Sequence, residues 1–154
     1  MREEAIRTTK IRQLNLPPPL LVQSGSRTED VIAQMRKGKT TCALICKGDR
    51  CIGIFTERDF LDKILDKKGD SSLPVDSMMS RDPQSLTPED SVESAIRMMN
   101  QFGYRNIPLR DREGKSVGLV QIRNIIDFLA ELYPEEVLNK PPRDNQKFSE
   151  PDGA

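Results

Sequence analysis

The chain repeats itself, and this internal match constrains its fold more than any other feature. Val22 aligns with Leu86, sixty-four residues further on, and at that offset Glu29 falls on Glu93, Ile32 on Ile96 and Met35 on Met99. One extra residue placed after the methionine carries the match on: Gly38 falls on Gly103, Leu44 on Leu109, Gly53 on Gly118, Arg58 on Arg123 and Asp62 on Asp127. Self-similarity at a fixed period marks stacked supersecondary units. A unit this short cannot cover its own apolar helix face. Two units packed about a pseudo-twofold axis can bury both faces in one core, and 154 residues suit such a pair.

Each unit reads as strand, helix, strand, strand, helix. In the first, residues 19–22 form a short apolar strand and residues 28–37 a helix with Val31, Ile32 and Met35 on one face. Residues 40–46 and 51–55 form a hairpin around the polar turn Lys47-Gly48-Asp49-Arg50. A helix over 56–66 carries Phe60, Leu61, Ile64 and Leu65 at helical spacing. The second unit copies the order: lead strand 84–86, helix 92–102 with Ala95, Ile96, Met98 and Met99, strands 105–109 and 116–120, and a last helix 122–132 with Ile125, Ile126, Leu129 and Leu132 inward. The predicted class is therefore α+β, two β-α-β-β-α repeats related by a pseudo-twofold axis.

The boundaries follow. Residues 1–13 are predicted to form a helix that packs on the module and stops at the triple proline 17–19. Repeat 1 spans 14–69, a linker 70–82, and repeat 2 spans 83–133. The Lys-Lys-Gly-Asp-Ser-Ser run at 67–72 is loop composition, and residues 74–79 suit a short helical turn. Pro134 ends the last long helix, residues 135–138 allow one more turn, and the polar, proline-rich remainder predicts a disordered C-terminal tail.

Composition then narrows function. Lys+Arg and Asp+Glu both number 24, so no net charge drives the chain toward nucleic acid or an anionic membrane. The short basic turns Arg36-Lys37-Gly38-Lys39 and Lys67-Lys68 lack aromatic neighbours and read as solvated faces. No apolar run approaches the ~20 residues that span a bilayer. The N-terminal stretch has no apolar signal segment, and three cysteines are an odd number, so a cytoplasmic setting with reduced thiols is expected. Cys42, Cys46 and Cys51 match no zinc spacing. The chain has no histidine, which excludes Ser-His-Asp and Cys-His catalysis and any histidine-containing metal site. The thiols read as small buried hydrophobes, and Met35, Met98 and Met99 as core. No metal ligands are assigned.

The informative segment is Gly53-Ile54-Phe55-Thr56-Glu57-Arg58-Asp59, where a strand runs into a helix. Thr56 with Asp59 three residues on is a capping-box pair, which would satisfy free helix N–H groups and nothing more. The same geometry suits a ligand. A helix start attracts a phosphate, a threonine hydroxyl donates to it, and an aspartate accepts from ribose hydroxyls. Gly53 would let a ligand approach the strand, and Ile54 would lie against a purine.

Gly-h-h-Thr-x-x-Asp (h apolar), together with Arg105-Asn106-Ile107-Pro108-Leu109 ahead of the second hairpin, resembles the CBS domain, named from cystathionine β-synthase; two in tandem resemble a Bateman module. The resemblance covers residues 14 to 133. It implies a regulatory sensor that binds AMP, ADP, ATP or S-adenosylmethionine between the repeats, has no required cofactor, and pairs into homodimers through its helices. It implies Thr56 at a phosphate or ribose, Asp59 at the ribose hydroxyls, Arg105 at a phosphate, and Thr41, Ala43 and Ile54 along the base pocket. Arg58 and Arg123 sit at the two helix starts, where either contacts a phosphate or is simply solvated. The second repeat departs from the pattern, with Gln121 in place of threonine and Asn124 in place of aspartate. One competent site and one degenerate site are therefore expected. A ligand-free structural module bound to a protein partner is the alternative. Catalysis ranks last, because no constellation surrounds a nucleophile.

Overall fold

The computed structural model describes residues 2–66 and 70–133. The tail and extra turn expected beyond residue 133 and the start of the 67–72 loop lie outside them. In order come α1 (Arg2–Thr8), β1 (Leu21–Gln23), α2 (Thr28–Lys37), β2 (Cys42–Lys47), β3 (Arg50–Thr56), α3 (Glu57–Leu65), β4 (Ser80–Arg81), α4 (Val92–Phe102), β5 (Asn106–Arg110), β6 (Ser116–Gln121) and α5 (Ile122–Leu132). Single 3-10 turns lie at Ile11–Gln13 and Val75–Ser77. Among the described residues one sheet has the order β1-β2-β3-β4 and the other pairs β5 with β6. The predicted α+β class and repeat pair are what the structure shows.

Local chemistry sets the helix limits. α2 carries Glu29 and Asp30 in its first turn and Arg36 and Lys37 in its last, the signs that complement a helix dipole. Val31 and Met35, one turn apart, are its buried apolar side chains. The Ser91 hydroxyl caps α4 by accepting from the Ser94 N–H at 3.1 Å. Gly103 ends α4 with φ 71°, a left-handed conformation in which a Cβ would be strained.

The apolar side chains form three clusters. Val22, Val31, Met35, Ala43, Ile45 and Phe55 fill the first repeat's core, and Val92, Ala95, Met99, Ile107, Val120 and Ile125 the second's. The opposite face of β2 and β3 presents Cys42, Leu44, Cys46, Cys51 and Ile54 to Leu119 of the second repeat, forming the seam between the two. All three cysteines are buried, as read from sequence. Burial and then the nearby Asp59 charge push the Cys42 thiol up to about 12.

The lead segments cross over between repeats. Ile11 is buried in the second repeat's core, whereas Val75 and Met78 are buried in the first's. Lys10 bridges Ser91, and sixty-four residues on, Pro74 bridges Arg27. The backbone N–H of Val92 donates to Thr9 O at 2.8 Å, and that of Thr28 to Leu73 O at 2.9 Å. Each repeat's core is thus closed by the segment that leads into the other.

Several expectations are corrected. The N-terminal helix ends at Thr8 rather than running to residue 13, because residues 9 and 10 extend along the start of α4 and Ile11 turns into the core. Strand β1 begins at Leu21, past the prolines, which lack the N–H a ladder needs. The lead strand expected at 84–86 reduces to one bridge, Leu86 to Leu109, because Thr87 is already turned back by Asp90, whose carboxylate accepts its N–H at 2.7 Å. β4 was not foreseen. On α3, Leu61, Ile64 and Leu65 are exposed, and so is Ile126 on α5, which was expected to face inward.

The extra residue of the second repeat also moves. Lys39 and Gly103 are the matching left-handed positions, with φ 52° and 71°. Val22 pairs with Ile45 as Leu86 pairs with Leu109, and the ladder irregularity at Ile45/Cys46 matches that at Leu109/Arg110. The offset of sixty-four therefore persists through β2, so Lys39, not Gly38, matches Gly103, and Ile45, not Leu44, matches Leu109. The insertion lies in the second hairpin's turn. A strand cannot absorb an added residue without swapping its faces, whereas an exposed turn can.

Candidate functional site

The strand-to-helix step at β3–α3 opens onto a cleft of about 580 Å³ between the repeats. Thr41, Ile54, Thr56, Arg58 and Asp59 line it from the first repeat, and Arg105 lines it from the second. Arg81 and Asp82 form a third wall, with Tyr104 and Asn106 opposite. The twofold-related cleft, about 420 Å³, is lined by Pro17, Pro18, Pro19, Lys39, Gln121, Arg123 and Asn124, and shares Thr41, Arg105 and Asn106 with the first.

At the first helix start, the Thr56 N–H donates to Asp59 Oδ2 at 2.9 Å, and the Asp59 N–H donates to Thr56 Oγ1 at 3.2 Å. This is a complete capping box. The Glu57 N–H donates to Thr41 O at 3.1 Å. Two first-turn N–H groups are therefore already taken, which narrows what the bare helix end can offer an anion. The hydroxyl hydrogen of Thr56 and the second oxygen of Asp59 are not used by the cap. Both side chains are half-buried and line the cleft. Three arginines (Arg58, Arg81, Arg105) and three acidic residues (Glu57, Asp59, Asp82) are among the residues that line it.

Two expectations fail here. Ala43 does not line the cleft. Thr41 reaches the cleft from just before β2, whereas Ala43, inside the strand, is fully buried and packs in the first repeat's core with Val31, Met35 and Phe55. Gly53 does not make room for a ligand. A Cβ there would collide with Met79 Sδ, so the glycine admits the linker methionine instead.

At the second helix start, the Gln121 N–H donates to Asn124 Oδ1 at 2.7 Å, which keeps half of the cap. The Gln121 side chain reaches across the hairpin, and its Nε2 donates to Asn106 Oδ1 at 2.8 Å. Arg123 lies only at this second cleft.

Arg81, Asp82, Tyr104 and Asn106 were not singled out from sequence. One signal for the first two was available. At an offset of sixty-four, Arg81, Asp82 and Pro83 fall on Pro17, Pro18 and Pro19, so the repeat carries into the linker and places both stretches at equivalent cleft walls.

The family model described as CBS domain matches residues 11–66 and again 75–131. The chain belongs to the CBS domain family. Its curated relatives include a 17.7 kDa protein of Acidianus ambivalens, 26% identical over 126 residues, or 81% of this chain and 76% of that one. Another is an inosine-5'-monophosphate dehydrogenase of Aquifex aeolicus, 27% identical over 80% of this chain but only 25% of the enzyme. This CBS pair also spans 21% of a CBS domain-containing protein of Arabidopsis thaliana. A CBS domain protein from Pyrobaculum aerophilum, solved complexed with AMP, superposes with TM-score 0.72 at 21% identity, over 81% of this chain and 98% of that one. The CBS domain pair of protein MJ0100, solved with 5'-methylthioadenosine and S-adenosyl-L-methionine, gives 0.71 at 17% identity, over 79% and 99%. At these identities the structural likeness establishes the fold. Among the described residues no helix is long and apolar enough to cross a membrane.

Proposed function

We propose that this CBS pair is a regulatory module that binds an adenosine-type ligand (AMP, ADP, ATP or S-adenosylmethionine) in the first cleft. One observation carries the reading: Thr56 and Asp59 of one repeat and Arg105 of the other line the same cavity. A ligand there touches both repeats, so its affinity differs between their arrangements, and binding shifts the population toward one of them. The adenosine compounds held by the Pyrobaculum protein and by MJ0100 support the ligand class. In this reading Asp59 takes the ribose hydroxyls, Thr56 and Arg105 take phosphate, Ile54 packs on the base, and Arg58 adds charge at the rim. The second cleft, with Gln121 and Asn124, binds weakly or not at all. The module acts in the cytoplasm on a protein partner or on its own homodimer, without catalysis. Exposed Leu61, Ile64 and Leu65 on α3, with Ile122 and Ile126 on α5, supply an apolar surface for pairing.

A second reading is favoured by the completed capping box: Thr56 and Asp59 only cap α3, and the module binds protein without a ligand. Calorimetric titration with AMP, ADP, ATP and S-adenosylmethionine decides between them. Saturable binding that Asp59→Ala abolishes supports the sensor, and no heat from any of the four in folded, ligand-free protein supports the cap.

A further inference from the structure

Gln121 occupies the threonine position of the second repeat and lines the second cleft, but its amide is engaged by a neighbouring side chain. It is tied to Asn106, its direct partner across the β5–β6 hairpin. Asn106 lines both clefts. We propose that Gln121 is a positioning residue for the first cleft, fixing the Asn106 amide so that its NH₂ group donates to an acceptor atom of the ligand. This rests on the reading of the first cleft as an adenosine-type site.

The argument is one of donors and acceptors. A primary amide has one carbonyl oxygen and one NH₂, on opposite sides of its terminal carbon. Unconstrained, it presents either one to a ligand. The bond from Gln121 Nε2 engages the Asn106 oxygen at 2.8 Å and leaves the NH₂ on the other side. Adenosine ligands offer acceptors on the ring, the ribose and the phosphates, so a fixed donor suits them. The first repeat has no such device. At the same place in the ladder Cys42 stands opposite Thr56, and Cys42 is fully buried. The apparent loss of a consensus residue in the second repeat thus serves the first repeat's site.

Calorimetric titration with AMP and with uncharged adenosine tests this on the full chain, using Gln121→Leu, Gln121→Glu, Asn106→Ala and the Asn106→Ala/Gln121→Leu double variant. Leucine cannot hold the amide. Glutamate, an acceptor only, draws the Asn106 NH₂ to itself and turns the carbonyl toward the cleft. Each Gln121 variant is expected to weaken both ligands by roughly three- to tenfold, the effect of one hydrogen bond. Gln121→Leu is expected to add nothing once Asn106 is alanine, because a positioning residue acts only through its partner. Thermal unfolding of each variant establishes that it is folded. Unchanged affinity in Gln121→Leu, or an equal loss from it with and without Asn106, overturns the proposal while leaving the cleft as a ligand site. A folded wild-type chain that binds neither ligand removes that site and this proposal with it.

Discussion

The two clefts share one plan and differ in what fills it. Each is built from a strand-to-helix step of one repeat, the post-helix loop of the other and the extended lead into a repeat. The first carries Thr56 and Asp59 on the step and Arg81-Asp82 on the lead, where the second has Gln121 and Asn124 and the prolines; the loop residues Thr41 and Arg105 line both. Backbone symmetry therefore survives while chemistry diverges. Apolar periodicity and crossed-over packing hold the fold, and neither depends on which polar groups face the cavity. A repeat can change the polar residues on its own step and still supply the second wall of the other cleft.

The largest test of this comparison concerns the crossover. Ile11→Ala is expected to cost about 2–5 kcal/mol, the range for burying a cavity at such a site. Val75→Ala, at the equivalent point of the first repeat, removes one fewer methylene and is expected to cost about 0.8 kcal/mol less. Urea unfolding measures both. A near-zero cost for Ile11→Ala breaks the claim that each lead segment closes the other core.

Next comes glycine packing. Gly53→Ala forces Met79 off β3 and is expected to cost about 1–3 kcal/mol. Gly118→Ala meets only Leu109 Cδ1 at 3.2 Å, which a small shift relieves, so its cost is expected to be smaller. Thermal melts rank the two. If Gly53→Ala is neutral in stability but lowers ligand affinity, the glycine serves the ligand after all.

The capping residues should show a smaller, symmetric cost with an asymmetric consequence. Asp59→Ala and Asn124→Ala each lose a bond to the N-cap N–H, worth about 0.5–2 kcal/mol. Only Asp59→Ala is expected to abolish nucleotide binding in titration. Equal effects of both on binding would erase the difference between the clefts.

The last comparison is a pH dependence that Cys42 gives the first repeat. Cys42 is raised in the folded chain from 9.0 to about 12, whereas its counterpart in the ladder, Asn106, does not titrate. Above pH 9 the unfolded chain loses this proton first, so the folded state is favoured less as pH rises toward 12. Replacing Cys42 with Val should flatten that part of the stability–pH curve. Denaturation midpoints at pH 8 and pH 10 in both proteins check this.

Much of this was legible in the residues. The helix limits 28–37, 92–102 and 122–132 agree with the structure because apolar spacing and caps are local signals. Thr56 and Asp59 were found because a capping motif is contiguous in sequence. Asn106 and Arg81 were missed because their place in the cleft depends on which surfaces the repeats bring together. Ala43 was misplaced because Thr41 reaches the cleft from just before β2, so the two residues do not share a strand's alternation. The insertion was placed after α2 because a sequence match cannot tell a left-handed lysine from a left-handed glycine.

By itself, then, the sequence determined a doubled α+β unit with one Thr–Asp step retained and one replaced, because periodicity, caps and repeats are written in neighbouring residues. Only the tertiary structure decided that each repeat's lead segment closes the other's core. It also decided that Gly53 makes room for a methionine and that Gln121 reaches Asn106. These are contacts between chain segments that the hydrophobic effect brings together without regard to their separation in sequence, so no local pattern encodes them.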